Sequence, residues 1–324
     1  MSEMNSDLLV VTENIVREFV LENLPYDRNK TAVLRDLEGM TGNDLLHTYL
    51  NWFARIVPSV PRHVHLSQSL LMNPLLSKYG REYGEIRFAI EKGISLQPFL
   101  SRSVRYGYDR TKGIAKNLRK RRDLDLMLND WGIHHLHLSS CVEDDGFVAR
   151  SDYILFAIFR ANHAFLIDIR PHNEEHVWAR KELFRAILKS WPDYDLIWRL
   201  EGIEAGGENA DEDAEFAERH VALRQAGVVS PVVIDGSVYV GSGGLSTAGT
   251  SWHSGRWTAT IRRDLANFFS RWFNAPGGVR SEVLAQGALL PDEVNFRFFI
   301  QNDGKYGALE KERGMFLKLG QIVF

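Results

Sequence analysis

The chain of 324 residues predicts an α+β fold with a helical N-terminal region, a small central antiparallel sheet flanked by helices, and an α+β C-terminal region. Two patterns predict this class. Apolar residues recur every three or four positions in the first part of the chain, as in amphipathic helices. Strand-like runs bounded by turn residues begin near residue 133. Hydrophobic residues make up 44% of the chain, which is enough for a sizeable core.

The N-terminal helices are indicated by their spacing and by the residues that end them. Residues 7–57 carry two helical patterns, and Pro58 and Pro61 end this segment because a residue before proline disfavours the helical region. A further helical stretch at 80–92 ends at Gly93. We therefore expect the first hundred residues to be mostly helical.

Composition shifts along the chain suggest its domain boundaries. Residues 201–220 combine glycines with an acidic excess, which is typical of a linker. The predicted division is a helical N-terminal domain at 1–105, an α+β domain at 106–200, the linker at 201–220 and an α+β C-terminal domain at 221–324.

Charge and cysteine content limit the classes of partner and the compartment. The net charge of −3 gives no overall attraction to nucleic acid or to acidic membranes. A single cysteine, Cys141, excludes an intramolecular disulfide and favours a reducing compartment. The N-terminus lacks the basic start of a signal peptide, and no apolar run is long enough to span a bilayer. We expect a cytoplasmic protein with no membrane partner.

A basic run stands out against this negative balance. Its seven cations lie within thirteen residues, and clustered cations of this kind neutralise nucleic-acid phosphates. They are Arg110, Lys112, Lys116, Arg119, Lys120, Arg121 and Arg122. A solvated helix face is the alternative interpretation of the same run.

The central sheet is predicted from three apolar segments. The segment IHHLHL at 133–138 alternates with period two, so His135 and His137 share one strand face while His134 lies with two leucines on the other. The runs YILFAIF at 153–159 and AFLIDI at 164–169 are nearly continuous and predict buried strands joined by a short turn. An amphipathic helix follows, with its apolar stripe between residues 183 and 191.

Histidines lie at the ends of these strands, and histidine is the side chain that titrates closest to neutral pH. His134, His135, His137, His172 and His176 account for five of the eleven histidines. Acid–base cleavage of RNA needs a proton acceptor, a proton donor and a cation for the phosphate. The predicted catalytic residues are His172, His176, Arg150 and Arg170, followed by His135 and His137.

Two other interpretations of the histidines stay open. His172 and His176 with Glu175 match the H-x-x-E-H zinc pattern, which requires a helix so that both rings share a face. No third ligand is evident, so no metal or other cofactor is assigned. The histidines can also be structural, and we expect His134 to be a packed core residue.

The segment YILFAIFRANHAFLIDIRPHNEEHVW at 153–178 resembles the core of RelE/ParE-type toxins. The likeness lies in two apolar strands, the hairpin between them and an exit that carries a histidine and then an aromatic residue. His172 stands where that family has its histidine, Trp178 where it has a tyrosine, and Arg150 near its arginine. The resemblance implies a RelE-like fold that cleaves RNA, including messenger RNA on the ribosome.

The sequence thus predicts a metal-independent endoribonuclease of toxin-like or defence-like type, with RNA as its partner. A non-enzymatic module that binds nucleic acid through residues 110–122 is one alternative, and a zinc-dependent hydrolase is the other.

Overall fold

A computed structural model describes residues 2–109, 121–204, 213–274, 295–312 and 314–323. Backbone contacts divide the chain into two compact units, Met1–Leu50 with Ser254–Val323 and Asn51–His253. The mixture of helices and small sheets is α+β, as predicted.

The elements of the described residues are named in chain order. The helices are α1 (Ser2–Asn23), α2 (Thr31–Glu38), α3 (Gly42–Phe53), α4 (Gln68–Met72), α5 (Pro74–Lys78), α6 (Gly80–Lys92), α7 (Leu126–Trp131), α8 (Lys181–Ser190), α9 (Asp213–Gln225) and α10 (Trp252–Asn274). The strands are β1 (His63–Leu66), β2 (His134–His137), β3 (Tyr153–Phe159), β4 (His163–Pro171), β5 (Ile197–Glu204), β6 (Val232–Ile234), β7 (Ser237–Gly241), β8 (Phe296–Ile300), β9 (Lys305–Glu310) and β10 (Phe316–Gln321).

The unit formed by Met1–Leu50 and Ser254–Val323 packs helices on a small sheet. Strands β8, β9 and β10 pair antiparallel with β9 in the centre. Phe19 of α1 contacts Tyr49 and Phe298 edge to face, with ring centroids 5.0 Å apart in both pairs. These aromatic contacts join α1 to the sheet through buried side chains.

The central sheet of the Asn51–His253 unit has the strand order β1-β4-β3-β2. The predicted hairpin of β3 and β4 is present, and β2 pairs antiparallel with β3. Strand β1 pairs parallel with β4, although it lies in the range predicted to be a helical domain. Its four residues were too short for a periodic signal, and a parallel partner a hundred residues away leaves no local turn signature.

Both faces of the β3–β4 hairpin are buried, which explains why its apolar runs are continuous. Ile154, Phe156 and Ile158 pack with α8 on one face. Leu155 and Ala157 pack with α6 on the other face. The hairpin therefore forms the middle layer of this unit, between α8 and α6.

The predicted linker at 201–220 is wrong at both of its ends. Strand β5 extends to Glu204 and α9 begins at Asp213, while 205–212 lie outside the described residues. Helix α9 is anchored by Asp213, which pairs with Arg185 at 2.5 Å and with Lys181 at 3.5 Å. The buried residues of α9 include His220 and Arg224, so the sequence showed no apolar periodicity there.

The compact units also follow boundaries other than the predicted 105/106 and 220/221. Strand β1 from the predicted first domain pairs with β4, and β5 pairs with β7 from the predicted last domain. Strands β6 and β7 form a hairpin about Asp235-Gly236, where both residues have positive φ angles of 48° and 73°. In the described parts of the chain, no helix is long and apolar enough to cross a membrane.

Candidate functional site

A cavity of about 500 Å³ lies in the Asn51–His253 unit, within the size range of small-molecule sites. Its wall is unusually rich in nitrogen-bearing side chains. The charged and titratable residues that line it are His135, His137, His172, Arg102, Arg121, Arg150, Arg224 and Asp125. Four of the six predicted catalytic residues therefore line a single cavity.

Two of these histidines, His135 and His137, lie on strand β2. Gly132 ends α7 with a φ of 73°, and a Cβ there would come within 2.6 Å of the Ser242 side-chain oxygen. The chain then enters β2, where side chains alternate between a buried and a half-buried face. His135 and His137 line the cavity, as their shared face predicted.

His134 points to the opposite face and is a core residue, as predicted. Its side chain is buried, and its ring packs edge to face on Phe159 with centroids 5.3 Å apart. Burial lowers the pKa of His134 to about 4 because the charged imidazolium would lose its hydration.

The three cavity histidines contact one another and a shared tryptophan. The ring centroid of His137 lies 5.9 Å from that of His135 and 5.7 Å from that of His172, with which it stacks at 22°. Trp178 contacts His135 at 4.9 Å and His172 at 5.5 Å. His172 is fixed where β4 ends, since its amide donates to the carbonyl of Asp152 at 2.7 Å.

Burial keeps these histidines neutral near pH 7. It lowers the pKa of His135 and His172, and it lowers that of His137 to about 4. The positive charge of Arg150 lowers the pKa of His137 and His172 further. Neutral imidazoles can accept protons, so the cavity holds three bases at neutral pH.

Asp125 contributes a carboxylate to the cavity wall. No sequence pattern indicated that it is a functional residue. It caps α7 by accepting a hydrogen bond from the amide of Leu128 at 3.0 Å. Its Oδ2 lies 3.8 Å from Nδ1 of His135 and opposes the lowering of that residue's pKa. Its place just before a short apolar helix is the signal that could have identified it.

Three of the four arginines in the wall are held by carboxylates. Arg102 pairs with Asp145 at 2.8 Å, Arg121 donates through Nε to Asp123 at 2.9 Å, and Arg224 pairs with Asp130 at 2.8 Å. Arg150 is exposed and has no hydrogen bond or ion pair with any described residue. Its charge is therefore available to an anion that enters the cavity.

His176 and Arg170 do not line the cavity, contrary to the predicted convergence at this corner. The chain turns between residues 172 and 176, and His176 has a φ of 54° with its Nε2 3.5 Å from Glu175. Arg170 is held by Asp168 at 2.7 Å and by Glu174 at 3.6 Å.

The turn at 172–176 also breaks the zinc pattern, because H-x-x-E-H places two histidines on one face only within a helix. Across the described ranges, no group of three or more His, Cys, Asp or Glu side chains is arranged to hold a metal ion.

Most of the predicted basic surface lies outside the described residues, namely Arg110, Lys112, Lys116, Arg119 and Lys120. Arg121 lines the cavity. Arg122 pairs with Asp109 at 2.7 Å, and its guanidinium lies 3.9 Å from the ring centroid of Tyr106.

Comparisons with protein-family models, curated proteins and solved structures found no match. The resemblance of residues 153–178 to RelE/ParE-type toxins therefore stays a prediction from sequence. The proposed function therefore rests on the residues that line the cavity.

Proposed function

We propose that the Asn51–His253 unit is a metal-independent endoribonuclease. The observation that carries this proposal is the cavity in which His135, His137 and His172 lie together with Arg150. Histidines supply proton transfer near neutral pH, and an arginine without a carboxylate partner attracts phosphate. The sequence resemblance to an RNA-cleaving fold supports the same class of substrate.

The reaction is an attack by the 2′-hydroxyl of RNA on the adjacent phosphorus. His135 removes the proton from this hydroxyl, because Asp125 lies behind its Nδ1 and stabilises the imidazolium that forms. The 2′-oxygen bonds to phosphorus while the bond to the 5′-oxygen breaks. The products are a 2′,3′-cyclic phosphate and a 5′-hydroxyl end.

His172 donates the proton that the leaving 5′-oxygen takes up. It must be protonated for this step, although burial lowers its pKa in the empty cavity. A bound phosphate diester brings a negative charge close to the ring and raises its pKa. Arg150 faces the extra negative charge that develops on the phosphate in the transition state.

The test is cleavage of a labelled RNA oligonucleotide by the full chain in the presence of EDTA. We expect the double variant His135→Asn/His172→Gln to lose cleavage by at least about a hundredfold, which is the usual contribution of general acid–base groups. His176→Gln is the matched control, because His176 follows the same strand but lies outside the cavity. Equal cleavage by wild type and the double variant, or no cleavage by wild type, would contradict the proposal.

A further inference from the structure

Arg224 is a cavity residue that no sequence pattern indicated. It lies on α9, where Val221, Arg224 and Gln225 face the cavity at spacings of three and four residues. Its side chain is only 4% exposed. A charge this deeply buried is costly unless its nitrogens are paired.

Two of its three nitrogens are held by the protein. Nε donates to Oδ2 of Asp130 at 2.8 Å, and Nη1 donates to the carbonyl of Trp178 at 2.6 Å. The guanidinium lies 4.6 Å from the ring centroid of Trp131. Asp130 is fixed in turn by Nε2 of His220 at 2.9 Å. The guanidinium is thus held in one orientation before any ligand binds.

The third nitrogen, Nη2, is buried and has no hydrogen-bond partner among the described residues. A guanidinium carries five donors, and a buried donor without a partner costs stability. Arg224 lines the cavity, and a purely structural ion pair with Asp130 would leave no buried donor unpaired beside it. An anion in the cavity would satisfy it.

We propose that Arg224 forms an anion site on the buried wall of the cavity, and that this site binds a phosphate group of RNA through Nη2. The choice of RNA as ligand rests on the proposed function, whereas the anion site stands on the geometry of Arg224 alone. Arg150 binds phosphate from the exposed rim, and Arg224 binds it from the buried wall. His220 and Asp130 act as positioning residues behind Arg224.

The experiment measures binding to the full chain by titration calorimetry with two probes. Inorganic phosphate reports on the anion site, and a 2′-O-methyl oligoribonucleotide, which cannot be cleaved, reports on RNA. Arg224→Lys keeps a positive charge near Asp130 but lacks the planar fork. We expect it to weaken both ligands by about tenfold to a hundredfold, the usual value of a hydrogen bond to a charged group. Arg219→Gln is the control, since Arg219 is exposed on the same helix.

A second measurement uses wild-type protein only, so it does not require that the Arg224→Lys variant folds. In wild-type protein, the arginine side-chain NMR signals of Arg224 should shift on addition of phosphate. Equal binding of both probes by wild type and Arg224→Lys, or an Arg224 signal that phosphate does not move, would overturn the anion site. Loss of phosphate binding with unchanged oligonucleotide binding would overturn the RNA assignment.

Failure of the proposed function gives a different result. If wild-type protein cleaves no RNA but binds phosphate through Arg224, the ribonuclease is wrong and the anion site stands. If wild-type protein cleaves RNA and Arg224→Lys binds both probes normally, the ribonuclease stands and the inference about Arg224 is wrong.

Discussion

The central sheet carries a group of three histidines at each of its two edges, and the two groups differ in what surrounds them. His63, His65 and His163 lie on β1 and β4, where His65 and His163 hydrogen-bond to each other at 2.9 Å. His135, His137 and His172 line a cavity with four arginines, and Nδ1 of His135 and of His137 has no hydrogen-bond partner in the described chain. The two groups have the same number of histidines and differ in the charged residues that surround them.

The largest difference between the two groups should be in catalysis. His135→Asn removes the residue proposed to accept the proton of the 2′-hydroxyl, so we expect RNA cleavage to fall by about a hundredfold or more. His65→Asn is the matched change on the other edge strand, and we expect its cleavage rate to stay within about twofold of wild type. Single-turnover rates of the two variants measure this directly. Similar losses of cleavage rate in both variants would mean that the cavity histidines have no distinct role in cleavage.

Stability against acid should depend strongly on His134, the core neighbour of the cavity group. Its folded pKa of about 4 lies below the unfolded value of 6.5, so the unfolded state binds more protons between these values. Stability is therefore lost as pH falls from about 6.5 towards 4. One pH unit is worth about 1.4 kcal/mol, which gives a loss of about 3 kcal/mol from His134.

We expect His134→Leu to flatten this acid dependence, as measured by urea unfolding at pH 7 and at pH 4.5. The remaining slope includes contributions from the cavity histidines and from His47, His65 and His220, whose pKa values are also lowered. A His134→Leu variant with the wild-type slope would refute this account of the core.

Phosphate binding should change the pKa values of the cavity histidines and not those of the histidines on β1. A phosphate in the cavity stabilises the imidazolium form, so we expect the pKa of His137 to rise from about 4 by about one unit or more. His65 lies at the far edge of the sheet and should titrate as before. NMR titration of the ring protons with and without phosphate checks both. Equal shifts at the two edges would point to non-specific binding.

The smallest effect is expected from Asp125→Asn. Asparagine still caps a helix, so stability should change by less than about 1 kcal/mol. The lost carboxylate no longer supports the imidazolium of His135, and we expect cleavage to slow by about tenfold. Comparing the cleavage rate with the free energy of unfolding separates these two roles. A loss of stability that matches the loss of rate would make Asp125 structural.

The sequence predicted those parts of the fold and site that depend on local patterns. Alternation placed His135 and His137 on one face of β2, and continuous apolar runs located the β3–β4 hairpin. Partners distant in sequence left no such signal. The pairing of β1 with β4 joins residues a hundred positions apart. The buried face of α9 contains His220 and Arg224, so no apolar pattern indicated Arg224, which lies in the predicted C-terminal domain.

His176 and Arg170 show the limit of spacing arguments at this corner. Two histidines four residues apart share a face only if a helix connects them, and here a turn with a positive φ at His176 connects them. Arg170 was correctly placed near a strand end, but Asp168 and Glu174 hold its guanidinium. Which cations are already paired depends on the tertiary fold.

The end groups of the products distinguish metal-independent attack by the 2′-hydroxyl of RNA from other reactions. Wild-type protein is incubated with RNA in EDTA, and the new ends are analysed by mass spectrometry. The account predicts 2′,3′-cyclic phosphate and 5′-hydroxyl ends, and no cleavage where the 2′-hydroxyl is replaced by hydrogen. Intact RNA, or cleavage that continues at the 2′-deoxy position, would contradict it.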